Sequence, residues 1–369
     1  MAPPPIIAPQ ARPRARGGTV WMVLAIIFIV LFVMSMFWNV VGSARSVATL
    51  GRSSSSRSRN LEEVTIERTN VDEKIAVITV DGIISSGEAD RTGMNLQEYV
   101  NEQLKAAEED SDVKAVILKV DSPGGEVLAS DDINQELRRF QDHAHKPVVV
   151  SMGALAASGG YYISAPALWI VANELTITGS IGVVMHGYNY RLLMDKIGLR
   201  PHVYKSGKFK DMLSGEREPD NLNPADQKER DDEDAMVQGL IDETYNKFKS
   251  VVQAGRDAAS KTNGADGKTL ANDWTNYADG RILSGRQALN LGFVDELGDF
   301  HTAVKRAEKL TGISAATLIE YRMPVDLASV LSHVFGKSEA PALKIDLGLD
   351  MPKLQAGRLY FIAPTAVPH

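Results

Sequence analysis

Three short apolar runs, rich in β-branched residues, recur in the first half of the chain, at residues 74–80, 113–120 and 147–150. Runs that are apolar at nearly every position are typical of strands buried on both faces of a parallel sheet. Segments with helical periodicity lie between and after these runs. Because the predicted strands alternate with predicted helices, the pattern indicates an α/β fold.

Two of the helical segments have a distinct apolar face. Ile133, Leu137 and Phe140 follow one another at helical spacing, and the acidic pair at 131–132 predicts the start of that helix. Asn-Pro at 223–224 predicts the start of a second, longer helix, because Asn is a favoured N-cap and Pro a favoured first residue. The predicted apolar face of this second helix comprises Ile241, Tyr245, Phe248 and Val252.

The longest apolar stretch lies near the N-terminus. Residues 20–38 contain no charged side chain, and a helix rising about 1.5 Å per residue crosses a hydrocarbon core of about 30 Å over this length. Trp21 and Trp38 lie near its two ends, where indole rings favour the membrane interface. We predict a transmembrane anchor at 19–42. The alternative is a signal peptide cleaved at 42–44, but the run exceeds the roughly 7–15 apolar residues of such peptides.

Composition divides the chain into five predicted parts. A segment rich in Pro and Arg precedes the anchor, and a segment rich in Ser and Arg follows it, as expected for flexible polar chain. The alternation of strands and helices continues to about residue 320 and then stops. The predicted parts are a disordered tail at 1–18, the anchor at 19–42, a flexible linker at 43–72, a folded domain at 73–320 and a C-terminal extension at 321–369.

Charge and composition exclude several classes of function. The net charge is −7 and basic residues do not cluster outside the N-terminal stretch, which argues against nucleic acid as a partner. The chain has no cysteine, so a thiolate nucleophile, a disulfide framework and a Cys-ligated metal site are ruled out. None of the seven histidines stands in a metal-ligand spacing. We therefore expect neither a metal ion nor another cofactor.

The first of three glycine-rich segments follows the predicted strand at 113–120. Its sequence is DSPGG, at 121–125. Glycine leaves backbone N–H groups unobstructed, so Gly124 and Gly125 are candidates for an oxyanion hole. The alternative is a tight turn that leads into a helix, since Pro-Gly pairs mark turns generally.

The second segment surrounds one hydroxyl with small residues. It reads SMGALAASGGYY, at 151–162, and places Ser158 before a predicted helix start. Small neighbours leave space for a substrate carbonyl, so Ser158 is a candidate nucleophile. The alternative, that Ser158 only caps the helix, is open at this point. The segment does not match the G-x-S-x-G nucleophile motif, because residues 156 and 157 are both Ala.

The third segment, YKSGKFKD at 204–211, supplies lysines. A serine hydroxyl needs a base to remove its proton, and no histidine stands in a recognisable triad motif. A lysine can act as the base only if its ordinary pKa of about 10.4 falls to about 7–8, as desolvation can achieve. The alternative for Lys205, Lys208 and Lys210 alike is an exposed, solvated lysine.

Together these segments resemble the signal peptide peptidase A family of bacterial serine peptidases. The resemblance extends from about residue 75 to residue 299, and it includes TGSIGV at 178–183 and a further block at 280–295. It implies a ClpP/crotonase-like α/β fold with repeated ββα units, preceded by one transmembrane helix. The chain is similar to the short members of the family, which have one catalytic repeat.

The resemblance also implies the roles of particular residues. Ser158 matches the nucleophile and Lys210 the general base, with Lys205 as the alternative base. Ser180 matches the serine that orients the lysine. The implied oxyanion-hole residues are Gly124, Gly125 and Gly159.

The implied function is that of a membrane-bound serine endopeptidase. Its expected substrates are remnant signal peptides or other unstructured apolar peptides, and its expected assembly is a ring-like homo-oligomer. Positive charges flank the anchor almost equally, so the resemblance alone predicts a cytoplasmic N-terminus and a periplasmic domain at the inner membrane. The alternatives are a crotonase-like acyl-CoA enzyme, which shares the fold, and a non-catalytic membrane scaffold.

Overall fold

A computed structural model of the chain describes residues 61–87, 94–217, 224–323 and 358–363, together with Phe28. By its internal contacts the chain divides into two units, Met1–Arg57 and Ser58–His369. All described residues except Phe28 belong to the second unit.

The predicted N-terminal parts lie largely outside this description. The tail at 1–18 and the anchor at 19–42 are outside the described residues, apart from Phe28. Among the residues that are described, no helix is both long enough and apolar enough to cross a membrane. The anchor therefore stays a prediction from sequence.

The described residues form eleven strands and seven α-helices. The strands are β1 (Glu62–Glu67), β2 (Lys74–Asp81), β3 (Val113–Ser122), β4 (Gly124–Glu126), β5 (Val148–Ala157), β6 (Trp169–Ala172), β7 (Ile177–Gly179), β8 (Ile282–Ser284), β9 (Glu296–Leu297), β10 (Thr317–Arg322) and β11 (Tyr360–Ile362). The helices are α1 (Leu96–Glu109), α2 (Val127–Ala144), α3 (Gly159–Ser164), α4 (Arg191–Lys196), α5 (Pro224–Asn263), α6 (Gly285–Asn290) and α7 (Phe300–Thr311).

Nine of these strands form one mixed sheet. Its order is β1-β10-β2-β3-β5-β6-β9, and β7 pairs with both β5 and β8. The pairs from β10 to β9 are parallel, whereas β1 and β8 pair antiparallel with their neighbours. β4 and β11 make a separate antiparallel pair. The predicted α/β fold with a parallel sheet is confirmed.

The centre of the sheet is covered on both faces, which explains why β2 and β3 are apolar at most positions. Side chains alternate along a strand, so Ile75 and Val77 of β2 pack on one face with α7, whereas Ala76 and Ile78 pack on the other. Helices α1, α2 and α3 bury their apolar residues on that second face. Ile133, Leu137 and Phe140 are fully buried there, as their spacing predicts.

Helix α5 has two unlike halves. At about 1.5 Å per residue its 40 residues extend about 60 Å, which exceeds the diameter of a small domain, about 30 Å. Phe248 and Val252 of its C-terminal half are buried in the core. Met236 and Leu240 of its N-terminal half are exposed. The helix begins at Pro224, as the Asn-Pro pair predicts.

Three predicted boundaries differ from those observed. Helix α2 begins at Val127 and not at 131–132, because its N-cap is Glu126, the last residue of β4. The predicted linker at 43–72 contains β1, which pairs with β10, so the folded unit begins before residue 73. The predicted extension at 321–369 contributes β11 and the end of β10 to the folded unit.

Candidate active site

Ser158 lies at the junction between β5 and α3, in an unusual backbone conformation. Its φ is 54° and its ψ is −115°, which few residues other than glycine adopt. Such a conformation costs on the order of 1–3 kcal/mol and persists only where the surroundings impose it. Ser158 is also only 1% exposed. Strained backbone of this kind is concentrated at active sites, so the geometry supports a functional role for this residue.

The hydroxyl of Ser158 is not used for capping. Its side chain makes no capping hydrogen bond to α3, and its Oγ has no hydrogen-bond partner among the described residues. The alternative that Ser158 only caps the helix is therefore wrong. A buried hydroxyl without a partner carries a cost of about 1–3 kcal/mol, and such groups call for a functional explanation.

The backbones of Gly124, Gly125 and Gly159, which we call the glycine cluster, pack directly against one another. A Cβ added at Gly159 would lie 3.0 Å from Gly124 Cα and 3.0 Å from Gly125 N. Gly124 has a φ of +101°, so a side chain there would be strained as well as crowded. The cluster next to Ser158 is therefore built of bare backbone, as the sequence predicts for an oxyanion hole.

The hydrogen bonds distinguish between the predicted oxyanion donors. The N–H of Gly124 donates to Ser122 Oγ at 3.1 Å, so it is already used within the chain. The N–H of Gly125 instead faces a separate strand, β11, opposite Phe361, and not a residue of its own loop, so Gly125 and Gly159 are the better candidates. The alternative that DSPGG is a tight turn leading directly into a helix is wrong, because the short strand Gly124–Glu126 precedes helix α2.

Ser180 lies beside Ser158 at the ends of two neighbouring parallel strands. The register of β5 and β7 pairs Ala157 with Gly179, and each serine is the next residue. The Ser158 N–H donates to Gly179 O at 2.8 Å, which ties the two strand ends together. Ser180 is buried and has a positive φ of 51°. The topology therefore brings these two predicted residues together.

Lys210 makes no hydrogen bond to the Ser158 hydroxyl in this structure. It belongs to residues 201–217, a run of turns that we call the base segment, and its side chain is exposed. Its backbone N–H donates to Gly207 O at 3.2 Å. Because Ser158 Oγ has no hydrogen-bond partner among the described residues, the predicted nucleophile and base are not hydrogen-bonded to each other within this one chain.

Lys205, the alternative base, is held by carboxylates. Its Nζ lies 2.9 Å from Asp211 Oδ1 and 3.5 Å from Glu229 Oε1. The hydrogen bond to Asp211 raises the pKa of Lys205 above its ordinary value. A raised pKa favours the charged form, which cannot accept a proton. This arrangement disfavours Lys205 as the base.

Two residues that shape the site have no role predicted from the sequence, Asp121 and Asn134. Asp121 accepts a hydrogen bond from Leu155 N at 3.0 Å, where the β3–β5 register is irregular. Asn134 is buried and donates to Tyr162 O at 2.8 Å, which fixes helix α3 against α2. A single polar residue in an apolar helix pattern gives no signal of its partner, because that partner is 28 residues away in the sequence.

Comparison with known proteins identifies the family. Residues 140–314, which include Ser158, Ser180 and Lys210, match the family model described as peptidase family S49. A relative in Enterococcus faecium, named as a candidate signal peptide peptidase SppA, is 35% identical over 269 residues, covering 72% of each chain.

The chain belongs to peptidase family S49.

A second curated relative agrees with this assignment. Protease 4 of Haemophilus influenzae is 36% identical over 255 residues, which cover 69% of this chain and 38% of that protein. Among solved structures, a variant of the 1510-N membrane-bound stomatin-specific protease with a substrate peptide covers 71% of this chain and 97% of that one. That likeness has 17% identity and a TM-score of 0.37.

Membership of the S49 family settles the class of enzyme. The chain is a serine peptidase and therefore a hydrolase. The alternatives of an acyl-CoA enzyme and of a scaffold without turnover are set aside. In this S49 peptidase, Ser158 has a strained backbone, makes no capping hydrogen bond and lies beside the glycine cluster. These features suit a serine that acts as a nucleophile.

Proposed function

We propose that this S49 peptidase is a membrane-bound endopeptidase that uses a dyad of Ser158 and Lys210. Its proposed substrates are remnant signal peptides and other unstructured apolar peptides. The observation that carries the proposal is the buried, strained Ser158, whose hydroxyl has no partner in the described chain. The name of the Enterococcus faecium relative supports signal peptides as the substrate class.

The proposed reaction follows the chemistry of serine nucleophiles. Neutral Lys210 takes the proton of Ser158 Oγ as the oxygen attacks a peptide carbonyl carbon. The N–H groups of Gly125 and Gly159 stabilise the negative charge that develops on the carbonyl oxygen. Lys210 then protonates the leaving amine, and water hydrolyses the acyl-enzyme. Ser180 orients the lysine by a hydrogen bond, and no metal or other cofactor takes part.

Assembly into a ring-like homo-oligomer is part of the proposal, because the base segment lies beside an apolar surface. Tyr204 is 95% exposed, Ile197 69%, and Leu192 and Leu193 61% each. Exposed apolar patches of this kind mark protein interfaces. In the proposed assembly, burial of this surface against a neighbouring copy, or a movement of the base segment itself, brings Lys210 to Ser158 of its own or of the neighbouring chain.

The membrane location rests on the sequence. The apolar run at 19–42 is long enough to cross a bilayer, and a membrane is where apolar signal peptides remain after cleavage. We propose a single-pass protein of the inner membrane with a cytoplasmic N-terminus and a periplasmic peptidase domain. The ClpP/crotonase-like class with ββα units also belongs to this proposal. Its support is the order β3-β4-α2, in which β4 leaves the main sheet.

A comparison of two peptides tests the proposed substrate class. The full chain in detergent is incubated with a synthetic signal peptide and with an equally long, unstructured but highly charged peptide. Mass spectrometry should detect internal cleavage of the signal peptide at a rate at least about tenfold higher, because apolar residues gain from burial in the cleft. Ser158→Ala protein gives the background. Equal cleavage of the two peptides would contradict the proposed preference.

A further inference from the structure

Two serine hydroxyls in the described part of the chain are buried without a hydrogen-bond partner, and both lie next to Gly159. One belongs to Ser158, the residue directly before Gly159. The other belongs to Ser130 of helix α2, which is fully buried. Such hydroxyls are rare in folded proteins, because burial removes their bonds to water and nothing replaces them. Two of them at one glycine indicate that a hydrogen-bonding group enters here during function.

The Ser130 hydroxyl lies against the backbone of the proposed oxyanion hole. A Cβ added at Gly159 would be 2.8 Å from Ser130 Oγ and 3.0 Å from Gly125 N. The Ser130 hydroxyl and the Gly125 N–H therefore approach the same side of the Gly159 Cα. Since Gly125 and Gly159 carry the two N–H groups that we assign to the oxyanion hole, a third potential donor lies beside them.

Helix packing fixes Ser130 in this position. Helix α2 begins at Val127, directly after β4, so Ser130 is its fourth residue. One turn further along, Asn134 donates to Tyr162 O of helix α3 at 2.8 Å. Residues four apart lie on the same face of a helix, so one face of α2 contacts α3 at both Gly159 and Tyr162. The hydroxyl is therefore held at the glycine cluster by two packed helices.

Ser130 also departs from the usual behaviour of a hydroxyl within a helix. Serine and threonine in helices commonly donate to the carbonyl four residues earlier. Ser164, Thr262 and Thr311 do so, at 2.7, 3.0 and 2.8 Å. The Ser130 hydroxyl makes no such bond within the described chain, so it stays available to another acceptor.

We propose that Ser130 is a catalytic residue, a third hydrogen-bond donor to the oxyanion beside the N–H groups of Gly125 and Gly159. A hydroxyl that is unpaired in the resting chain, and gains an acceptor when the carbonyl oxygen becomes negative, stabilises the transition state more than the ground state. The proton stays on Ser130 throughout, so no covalent bond forms or breaks at this residue. This inference rests on the proposed function, in which Ser158 is the nucleophile.

Steady-state kinetics of Ser130→Ala test this role. With an unstructured apolar peptide, kcat should fall at least about tenfold and KM should stay within about twofold, because the hydroxyl contacts only the charged oxygen. The melting temperature should not fall, since the removed hydroxyl has no partner in the described chain. An unchanged kcat in the folded variant would overturn the inference.

Ser164→Ala is the matched control. Ser164 is also a fully buried serine, but its hydroxyl donates to Gly160 O. This variant should lower the melting temperature and keep kcat within about twofold, the opposite of Ser130→Ala. An equal loss of kcat in Ser164→Ala would show that any disturbance at helix α3 slows the enzyme, and would overturn the inference.

A transition-state analogue tests donation to the oxyanion itself. An apolar peptide boronic acid forms a tetrahedral, negatively charged adduct with the nucleophilic serine, so its inhibition constant should rise at least about tenfold in Ser130→Ala and not in Ser164→Ala. An unchanged constant in Ser130→Ala would overturn the inference alone if the parent cleaves the peptide. Absence of Ser158-dependent cleavage by the parent would overturn the proposed function, and this inference with it.

Discussion

The two halves of the proposed dyad lie in very different surroundings. Ser158 is buried at the end of a central strand, in a strained conformation, directly before Gly159 of the glycine cluster. The base segment at 201–217 consists of turns, and its lysines are exposed. It is held by charged contacts, such as that of Arg217 with Glu233 of α5.

This difference shows which residues of the proposed site are held in position by the packing of a single chain. Packing in the core holds the nucleophile and oxyanion hole in place, because a buried backbone has little freedom to move. The base segment relies on ion pairs, and an exposed one such as Lys208 with Asp232 is worth about 0–1 kcal/mol, so this segment is held more weakly than the core. We propose that this segment adopts its working position when a partner or substrate binds, and we therefore expect an unassembled chain to have little activity.

The first prediction concerns Ser158, the residue of the proposed dyad that core packing holds in place. Ser158→Ala should reduce the hydrolysis of an apolar peptide on the order of 10⁴-fold or more, because no other group can form the acyl-enzyme. Thermal unfolding should change little, since the hydroxyl makes no hydrogen bond in the described chain. The control is Ser250→Ala, on an exposed face of α5. Cleavage by Ser158→Ala at the parental rate would remove the nucleophile assignment.

The second prediction distinguishes Lys210 from Lys205 as the general base of the base segment. Lys210→Ala should lower kcat/KM by about 10²–10⁴-fold, the usual contribution of a general base. Lys205→Ala should lower it only a few-fold, because its ion pair with Asp211 keeps Lys205 charged. Steady-state cleavage of one fluorogenic peptide by both variants gives the comparison. The reverse order of effects would exchange the roles of the two lysines.

The third prediction tests whether assembly completes the site. Leu193 is exposed on α4, so Leu193→Glu should weaken a self-association that buries it, by about tenfold or more, because a buried Leu contributes about 1.5–3 kcal/mol. Analytical ultracentrifugation and activity should both shift to higher protein concentration. Ile66→Glu on β1 is the exposed apolar control. Full activity of a Leu193→Glu monomer would show that one chain is sufficient.

The fourth prediction addresses Ser180, which belongs to the fixed half but is proposed to act on the lysine. Ser180→Gly removes the hydroxyl and suits the observed φ of 51°. Cleavage should fall about tenfold, the value of one good hydrogen bond, while the melting temperature does not fall. Parental activity in this variant, measured as kcat/KM, would show that the hydroxyl does not orient the base.

Sequence patterns predicted the parts of the fold that are buried on both sides. The runs at 74–80 and 113–120 became β2 and β3, since burial on two faces forces apolar residues at every position. Edge strand β1 lies within the predicted linker, and the sequence pattern does not predict it. Its residues are mostly exposed, so it has no apolar pattern by which it could be predicted.

The site was predictable in composition but not in geometry. Glycine and serine at 124, 125, 158 and 159 have the residue types that an oxyanion hole and a nucleophile require. The use of the Gly124 N–H by Ser122 depends on a local turn, and the pairing of β11 with β4 joins residues more than 230 positions apart. Three-residue strands are too short for a periodic signal, so neither feature could be predicted from sequence.

Active-site labelling of the full chain tests the central claim most directly. A fluorophosphonate probe reacts with a serine only when a base activates it, and peptide mass spectrometry identifies the serine that is modified. We predict modification of Ser158 alone in the assembled parent, with labelling reduced at least about 100-fold in Lys210→Ala. Modification of a different serine, or equal labelling of Ser158 in Lys210→Ala, would contradict the proposed dyad.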